Sequence, residues 1–212
     1  MGVATELFAR QGFQGTTTRQ IAERARVNEA IIFRHFPTKE DLYWAVIENH
    51  CRRPGHTGMA DKLRHSASDR DALASIAEEM LERRSRDSTL SRLLLFTALE
   101  NHRLSHRFFR NYVAEHFEAL ADYIREGIAA GRFRDVDPLL AARGFLGMIV
   151  YHSWTQELFG WKRYQDFDNR EVSRVLTDVW LAGMLPPQQN TETKARVAKS
   201  KRNDGRRKIV SR

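Results

Sequence analysis

The side chains best spaced for chemistry stand between Thr16 and Phe36, in the run TTTRQIAERARVNEAIIFRHF, and the chemistry is that of holding and reading a polyanion. Thr17 is placed to cap a helix, with Gln20 three residues on as the capping-box partner. The free backbone N–H groups of such an N-terminus, with the hydroxyls of Thr17 and Thr18 beside them, suit a phosphate. Ala25-Arg26-Val27-Asn28 then reads as a short turn, with Ala25 and Val27 facing inward and Asn28 capping the next helix. In that helix Ile32 and Phe36, four apart, anchor the back. Glu29, Ala30, Ile31, Phe33, Arg34 and His35 are left off the core face. A helix anchored behind and presented in front is what a DNA major groove accepts. The plain alternative, two packed helices of an ordinary bundle, accounts for neither the paired caps nor the polar front.

Other residues offer less. His102 and His106 are four apart with Glu100 nearby, which invites a metal, but no third ligand stands at a firm spacing and a solvated or capping role is expected. Cys51 is the only cysteine, so no internal disulfide or multi-cysteine metal site can form. There is no nucleophile elbow, phosphate loop or catalytic dyad of known spacing, so neither an enzyme nor a cofactor is expected.

The elements that must position these groups are helices. Long alternating β-branched runs are absent, and each of the five prolines falls where a helix would start or stop, so the fold class is all-α. The patterning predicts a first helix ending near Arg10, with Gly12 as a left-handed cap, then helices over about 18–25 and 29–36. Thr38 and Asp41 open a fourth toward His50. Residues 53–68 read as a connection with at most a helical turn. Further helices are expected near 70–86, 89–102, 106–130, 137–159 and 170–184, with Gly131 ending the long one and Asp137-Pro138 starting the next. Leu93–Leu99 is apolar on every side and reads as a central core helix.

Charge divides the chain unevenly. Of the net +8, seven charges lie beyond Asn190, where nine cations meet two anions. Residues 188–212 have almost no large apolar groups, so this basic tail is expected to be disordered and to attract any polyanion without sequence preference. The first fifty residues hold six cations and six anions. Overall basicity is therefore poor evidence for DNA binding, and the case rests on spacing. No apolar run is long enough to span a membrane, and no secretion signal is evident, which fits a cytoplasmic protein.

From Glu6-Leu7-Phe8-Ala9-Arg10-Gln11-Gly12-Phe13 through Thr16-Thr17, Ile21-Ala22, Val27, Arg34-His35-Phe36 and Lys39-Glu40-Asp41-Leu42, the chain resembles the TetR family of one-component transcriptional regulators. A looser likeness continues in LLLFTALENH and RDVDPLLAARGFLGMIVYHSWTQELFG. The resemblance implies a helix-turn-helix head over 1–50 and a helical regulatory and dimerisation domain over 51–187, ahead of the 188–212 tail. It implies that a homodimer binds a palindromic double-stranded DNA operator as a repressor, and that a small apolar or aromatic effector releases it. The alternative is a ligand-independent regulator or activator controlled by a partner.

By position, the resemblance assigns phosphates to Thr17, His35 and Lys39, and base edges to Glu29, Ala30, Ile31 and Arg34. Ile31 would meet a thymine methyl and Arg34 a guanine or phosphate. Thr18, Arg19, Asn28 and Phe33 complete the expected DNA-binding set. Phe96, Glu100, His102, Tyr112, Met148, Tyr151, His152 and Trp154 are the candidates for an effector site. Met148, Tyr151, Trp154, Leu158, Trp180 and Leu181 carry the apolar excess expected at the dimer interface. Three departures stand out. Phe33 replaces a common tyrosine and cannot donate to phosphate. Arg26 occupies a usual glycine position, where a left-handed arginine costs about 1 kcal/mol. The segment before Ala4 is also shorter than the family's, which usually carries several more residues, often basic.

Overall fold

A computed structural model of the protein describes residues 1–51, 59–100 and 103–186. His102 and the basic tail lie outside them. The helices are α1 (Gly2–Gln11), α2 (Thr18–Ala25), α3 (Glu29–His35), α4 (Lys39–Cys51), α5 (Met59–His65), α6 (Asp69–Arg86), α7 (Thr89–Leu99), α8 (Arg103–Phe108), α9 (Ala114–Ala129), α10 (Pro138–Glu157) and α11 (Asn169–Met184). No strand occurs among the described residues.

Local caps set most of these boundaries. Thr17 Oγ1 accepts from Gln20 N–H at 3.1 Å and Gln20 Oε1 accepts from Thr17 N–H at 2.9 Å, a reciprocal box. Asn28 caps α3 by accepting from Ala30 N–H at 2.8 Å, and Asp137 caps α10 by accepting from Leu140 N–H at 2.8 Å ahead of Pro138. Thr38 and Asp41 repeat the box in front of α4, each backbone N–H donating to the other's side chain at 3.1 Å.

Two apolar clusters organise the molecule. One joins α1, Ile21, Ala22, Ile32 and α4, and runs on into Leu93, Leu104 and Phe108. The first fifty residues thus complete their core on α7 and α8. The second lies among α6, α9, α10 and α11, with Leu73, Ile124, Phe145, Ile149 and Trp180 buried at its centre.

The structure corrects several expectations. The region 53–68 contains a full helix, α5, with Leu63 buried against the second cluster. The single helix expected over 106–130 is α8 and α9 joined by a π-helical segment, Phe109–Val113, whose extra residue per turn shifts the apolar face between the two clusters. Leu93–Leu99 is not buried all round: Leu93 and Thr97 face the head, whereas Leu99 is 82% exposed. Gly12 has positive φ, 75°, but an extended ψ of −178°, so the chain leaves α1 without a left-handed turn; a Cβ here would strike Glu100 and Phe96. Ala25 is exposed and Val27 is 41% exposed. That turn is closed instead by its backbone, Val27 N–H donating to Ala22 O at 3.0 Å across a left-handed Arg26.

Arg26, at φ 56° and ψ 42°, is the only described non-glycine residue with positive φ, and its side chain is exposed. Glycine removes the steric cost and returns part of the gain as unfolded-state entropy. Arg26→Gly should therefore stabilise the fold by about 0.5–1 kcal/mol, visible in thermal unfolding, whereas Arg26→Ala keeps the strain and should gain nothing.

Candidate nucleic-acid interface

The second helix of the head turn, α3, buries one side chain, Ile32, against α1, α2 and α4, while Phe36 just beyond it packs half-buried on the same cluster. Ala30, Ile31, Phe33, Arg34 and His35 are exposed, Ile31 at 41% and Phe33 at 43%. Five of the seven helical residues thus project from the molecule, two of them large and apolar.

The head's cations differ in availability. Arg10 and Arg24 pair with Glu6, and Arg19 lies 2.9 Å from Glu23. Lys39 Nζ donates to the carbonyls of Phe13 and Thr16 at 2.9 and 3.0 Å and sits 4.2 Å over the Phe13 ring. Burial lowers the pKa of its ammonium, and Glu100 nearby opposes that shift. In this conformation Lys39 staples the α1–α2 turn instead of projecting toward a phosphate. Arg26 and Arg34 are the two head cations whose side chains make no ion pair or hydrogen bond among the described residues, and only Arg34 stands on the face of α3.

At the start of α2 the Thr17 hydroxyl caps the third amide, and the amides of Thr18 and Arg19 keep no acceptor within the helix. Thr18 Oγ1 donates to Glu29 Oε1 at 2.6 Å, fixing the start of α3 against the start of α2. Glu29 is therefore held by the head itself and is half-buried rather than fully presented.

The residues expected around an effector do not converge. Phe96 packs on Gly12. Glu100 accepts from the backbone N–H of Phe13 and Gln14 at 3.1 and 3.2 Å, and Arg92 on the same helix donates to Ala9 O at 2.9 Å. α7 thus grips the end of α1 with a carboxylate on its free amides and a guanidinium on its carbonyl. Eighty-seven residues separate Glu100 from Phe13, and no local sequence signal announces that clamp. Tyr112 stacks near Trp44 and Phe108. Met148 packs on the second cluster, Tyr151 is 66% exposed, and Trp154 Nε1 is buried without a partner. Only His152 of the set lines a described cavity, one of about 390 Å³ under the α10–α11 connection.

Of the residues expected at a dimer interface, Trp180 is 8% exposed and donates to Ala141 O at 3.1 Å, so it belongs to the subunit's own core. The outward stripes are different. On α10 they are Leu140, Gly144, Gly147 and Tyr151; on α11 they are Val175, Val179 and Gly183.

Residues 1–46 match the family described as bacterial regulatory proteins, tetR family, and residues 71–182 match the AefR-like transcriptional repressor, C-terminal domain. Over 93 residues the chain is 41% identical to the HTH-type transcriptional repressor Rv3405c of Mycobacterium tuberculosis, a match covering 43% of either chain, so it spans less than half of that relative's length. Over 151 residues it is 27% identical to the HTH-type transcriptional repressor AcnR of Corynebacterium diphtheriae, covering 69% of this chain and 73% of that one. In fold it is similar to the transcriptional regulator FadR of Bacillus subtilis in complex with stearoyl-CoA, with a TM-score of 0.63 at 20% identity over 86% of this chain and 96% of that one.

Proposed function

The chain belongs to the tetR family of bacterial regulatory proteins, and from that premise we propose that it is a repressor whose homodimer holds a palindromic operator through α3 and lets go when a small molecule binds behind the head. The observation that carries this reading is the exposed front of α3, where Arg34 and His35 stand free beside Ile31 and Phe33 while Ile32 anchors the back. Arg34 is the cation available for a guanine edge or a phosphate, and Ile31 offers an apolar contact to a thymine methyl. Thr17, Thr18, Arg19 and the first amides of α2 would take the flanking phosphate. Lys39 would contribute there only by leaving the two carbonyls it now holds. Phe33 brings a ring and no hydroxyl, so it adds packing on sugar or base rather than a phosphate bond.

The homodimer is supported by the stripe Leu140, Gly144, Gly147, Tyr151 on α10 beside Val175 and Val179 on α11. A second copy of this face, related by a two-fold axis, would cover it and set the two α3 helices against successive grooves. The similar regulator in complex with stearoyl-CoA supports a ligand-responsive fold. The cavity under the α10–α11 connection has mostly polar walls, which speaks for a different ligand class from the apolar one anticipated.

Both α3 side chains are exposed and outside the core, so Arg34→Ala and His35→Ala should leave the melting temperature unchanged. Loss of a bidentate base contact costs about 1–3 kcal/mol, roughly a 5- to 150-fold loss of operator affinity for Arg34→Ala, with a smaller, sequence-independent loss for His35→Ala. Titration against operator and random duplex at fixed salt measures both. Wild-type operator affinity in both variants would place the reading face elsewhere.

A further inference from the structure

The last turn of α6 carries three arginines, Arg83, Arg84 and Arg86, and one of them has no counter-ion. Arg83 pairs with Glu79 and Arg86 with Glu82. Arg84 instead continues the inward row of Leu73, Ala77 and Met80, where an apolar side chain would be expected. Among the described residues its one partner is neutral: Nη1 donates to Ser91 Oγ at 3.2 Å. Burial lowers the pKa of the guanidinium to about 10, Arg83 pushes the same way, and no carboxylate lies close enough to oppose them.

A charge held like this is costly unless an opposite charge meets it. The group can be met. Arg84 is half-buried, its Nε and Nη2 make no hydrogen bond, and neither atom is sealed from solvent. Ser91, 5% exposed, accepts the bond from Arg84 and donates none among the described residues. The pair therefore offers donors and no free negative charge, which is what a carboxylate or phosphate oxygen requires. The cavity under the α10–α11 connection makes no such demand, because Lys162 pairs with Glu157 and Asp166, and Asp168 caps α11.

The surroundings are apolar. From the turn at Asp87 and Ser88 the two helices part: α6 packs on α10 and α11, α7 on α1 and α4. One turn from Arg84, Met80 is half-buried at the edge of the body cluster; one turn from Ser91, Leu94 is half-buried at the edge of the head cluster. We propose that this angle between α6 and α7 is the effector site and that it takes an organic anion, a carboxylate or phosphate monoester on an apolar body, whose head is bound by the Arg84 guanidinium and the Ser91 hydroxyl while its body lies between Met80 and Leu94. The effector role rests on the repressor reading above; the ligand chemistry does not. A body wedged there bears directly on α7, whose Arg92 and Glu100 grip the end of α1.

Calorimetry on the full chain with octanoate and octyl phosphate, against octanol and octylamine, tests the ligand chemistry. At least one of the two anions should bind, and the uncharged and cationic chains should bind at least about tenfold more weakly, the worth of a hydrogen bond to a charged group. Arg84→Met keeps the length and the apolar stem, so it should weaken the anion about tenfold or more and erase the preference over octanol. It also removes a charge that has no counter-ion, so the ligand-free melting temperature should stay level or rise by about 2–4 °C. Arg84→Lys keeps the charge without the fork and should retain the preference for anions at reduced affinity. No heat from either anion, equal binding of octanol or octylamine, wild-type affinity in Arg84→Met, or a lowered melting temperature in that variant overturns the assignment. Operator titration with the bound anion present tests the effector role: affinity should fall for wild type and hold for Arg84→Met, and a wild-type protein that binds anion and operator independently overturns it. Ligand-free protein that fails to bind any operator counts against the repressor reading and leaves the calorimetry to decide the anion site.

Discussion

Gly147→Glu should abolish operator binding while leaving the subunit folded. Gly147 lies on the outward stripe of α10, and a Cβ built there meets nothing within 4 Å. Within one subunit the change removes a glycine from a helix interior, which is neutral or stabilising by about 0.5–1 kcal/mol. Between two subunits it places a charged side chain on the face that carries the exposed Gly144, Tyr151, Val175 and Val179. A two-fold axis repeats the insult on both copies, so two unpaired carboxylates are buried together. Sedimentation at micromolar concentration should move from about twice the 24.6 kDa chain mass to that mass itself. Operator affinity should then fall by about 100-fold or more, because each head meets its half-site alone and loses the effective concentration supplied by its twin. Thermal unfolding of the variant should remain cooperative. A Gly147→Glu protein that still sediments as a dimer would sink the assignment of this face, and a wild-type monomer would sink the dimeric repressor as a whole.

How far the sequence could be read depends on the range of the interaction. Thr17 with Gln20, Asn28 at the start of α3, Thr38 with Asp41, and Asp137 before Pro138 are contacts within three residues, and all four caps form where the spacing puts them. The left-handed Arg26 is legible only through the resemblance, which puts it at a usual glycine position; the arginine itself gives no local sign of positive φ. What escaped were choices made between distant segments. Lys39 looks like a free basic residue until α1 and α2 bring the Phe13 and Thr16 carbonyls to it, across 26 and 23 residues. Glu100 looks like a polar cavity edge until α7 crosses the end of α1. Val27 has the composition of a buried anchor, yet backbone bonds close its turn and no core lies behind it. Trp180 belongs to an apolar surplus that composition cannot divide between the subunit's own core and a partner; the contact with Ala141 assigns it to the core.

The joint between head and body rests on Tyr43, and removing its ring should cost more than any other single change considered. Tyr43 on α4 is fully buried, edge-on to Phe8 and Phe13 with ring centroids 4.8 and 5.3 Å away. Its hydroxyl donates to Leu93 O at 2.8 Å and lies 2.6 Å from Thr97 Oγ1, both on α7. The side chain thus packs against α1 and bonds α7 at once. Tyr43→Ala opens a cavity the size of an aromatic ring among stiff neighbours, which costs about 3–5 kcal/mol. Tyr43→Phe should cost only about 1 kcal/mol, since Thr97 Oγ1 still donates to Leu93 O at 2.6 Å and no buried carbonyl is orphaned. pH separates the hydroxyl from the ring. Burial, with a smaller push from Glu100 and against the Thr97 hydrogen bond, raises the Tyr43 pKa to about 12 from the ordinary 10.0. The folded state therefore prefers the neutral phenol. Its advantage over the ionised unfolded phenol is whole below pH 10 and drains away as the pH climbs toward 12. Denaturant unfolding at pH 8 and pH 11.5 should show wild type losing more stability between the two than Tyr43→Phe, by about 1–2 kcal/mol at the upper pH. Cys51, raised by burial to about 11, drains stability over part of the same range, but equally in both proteins, so the difference isolates Tyr43. Equal alkaline losses would mean that the hydroxyl reaches water, and that the head sits more loosely on α7 than these bonds require.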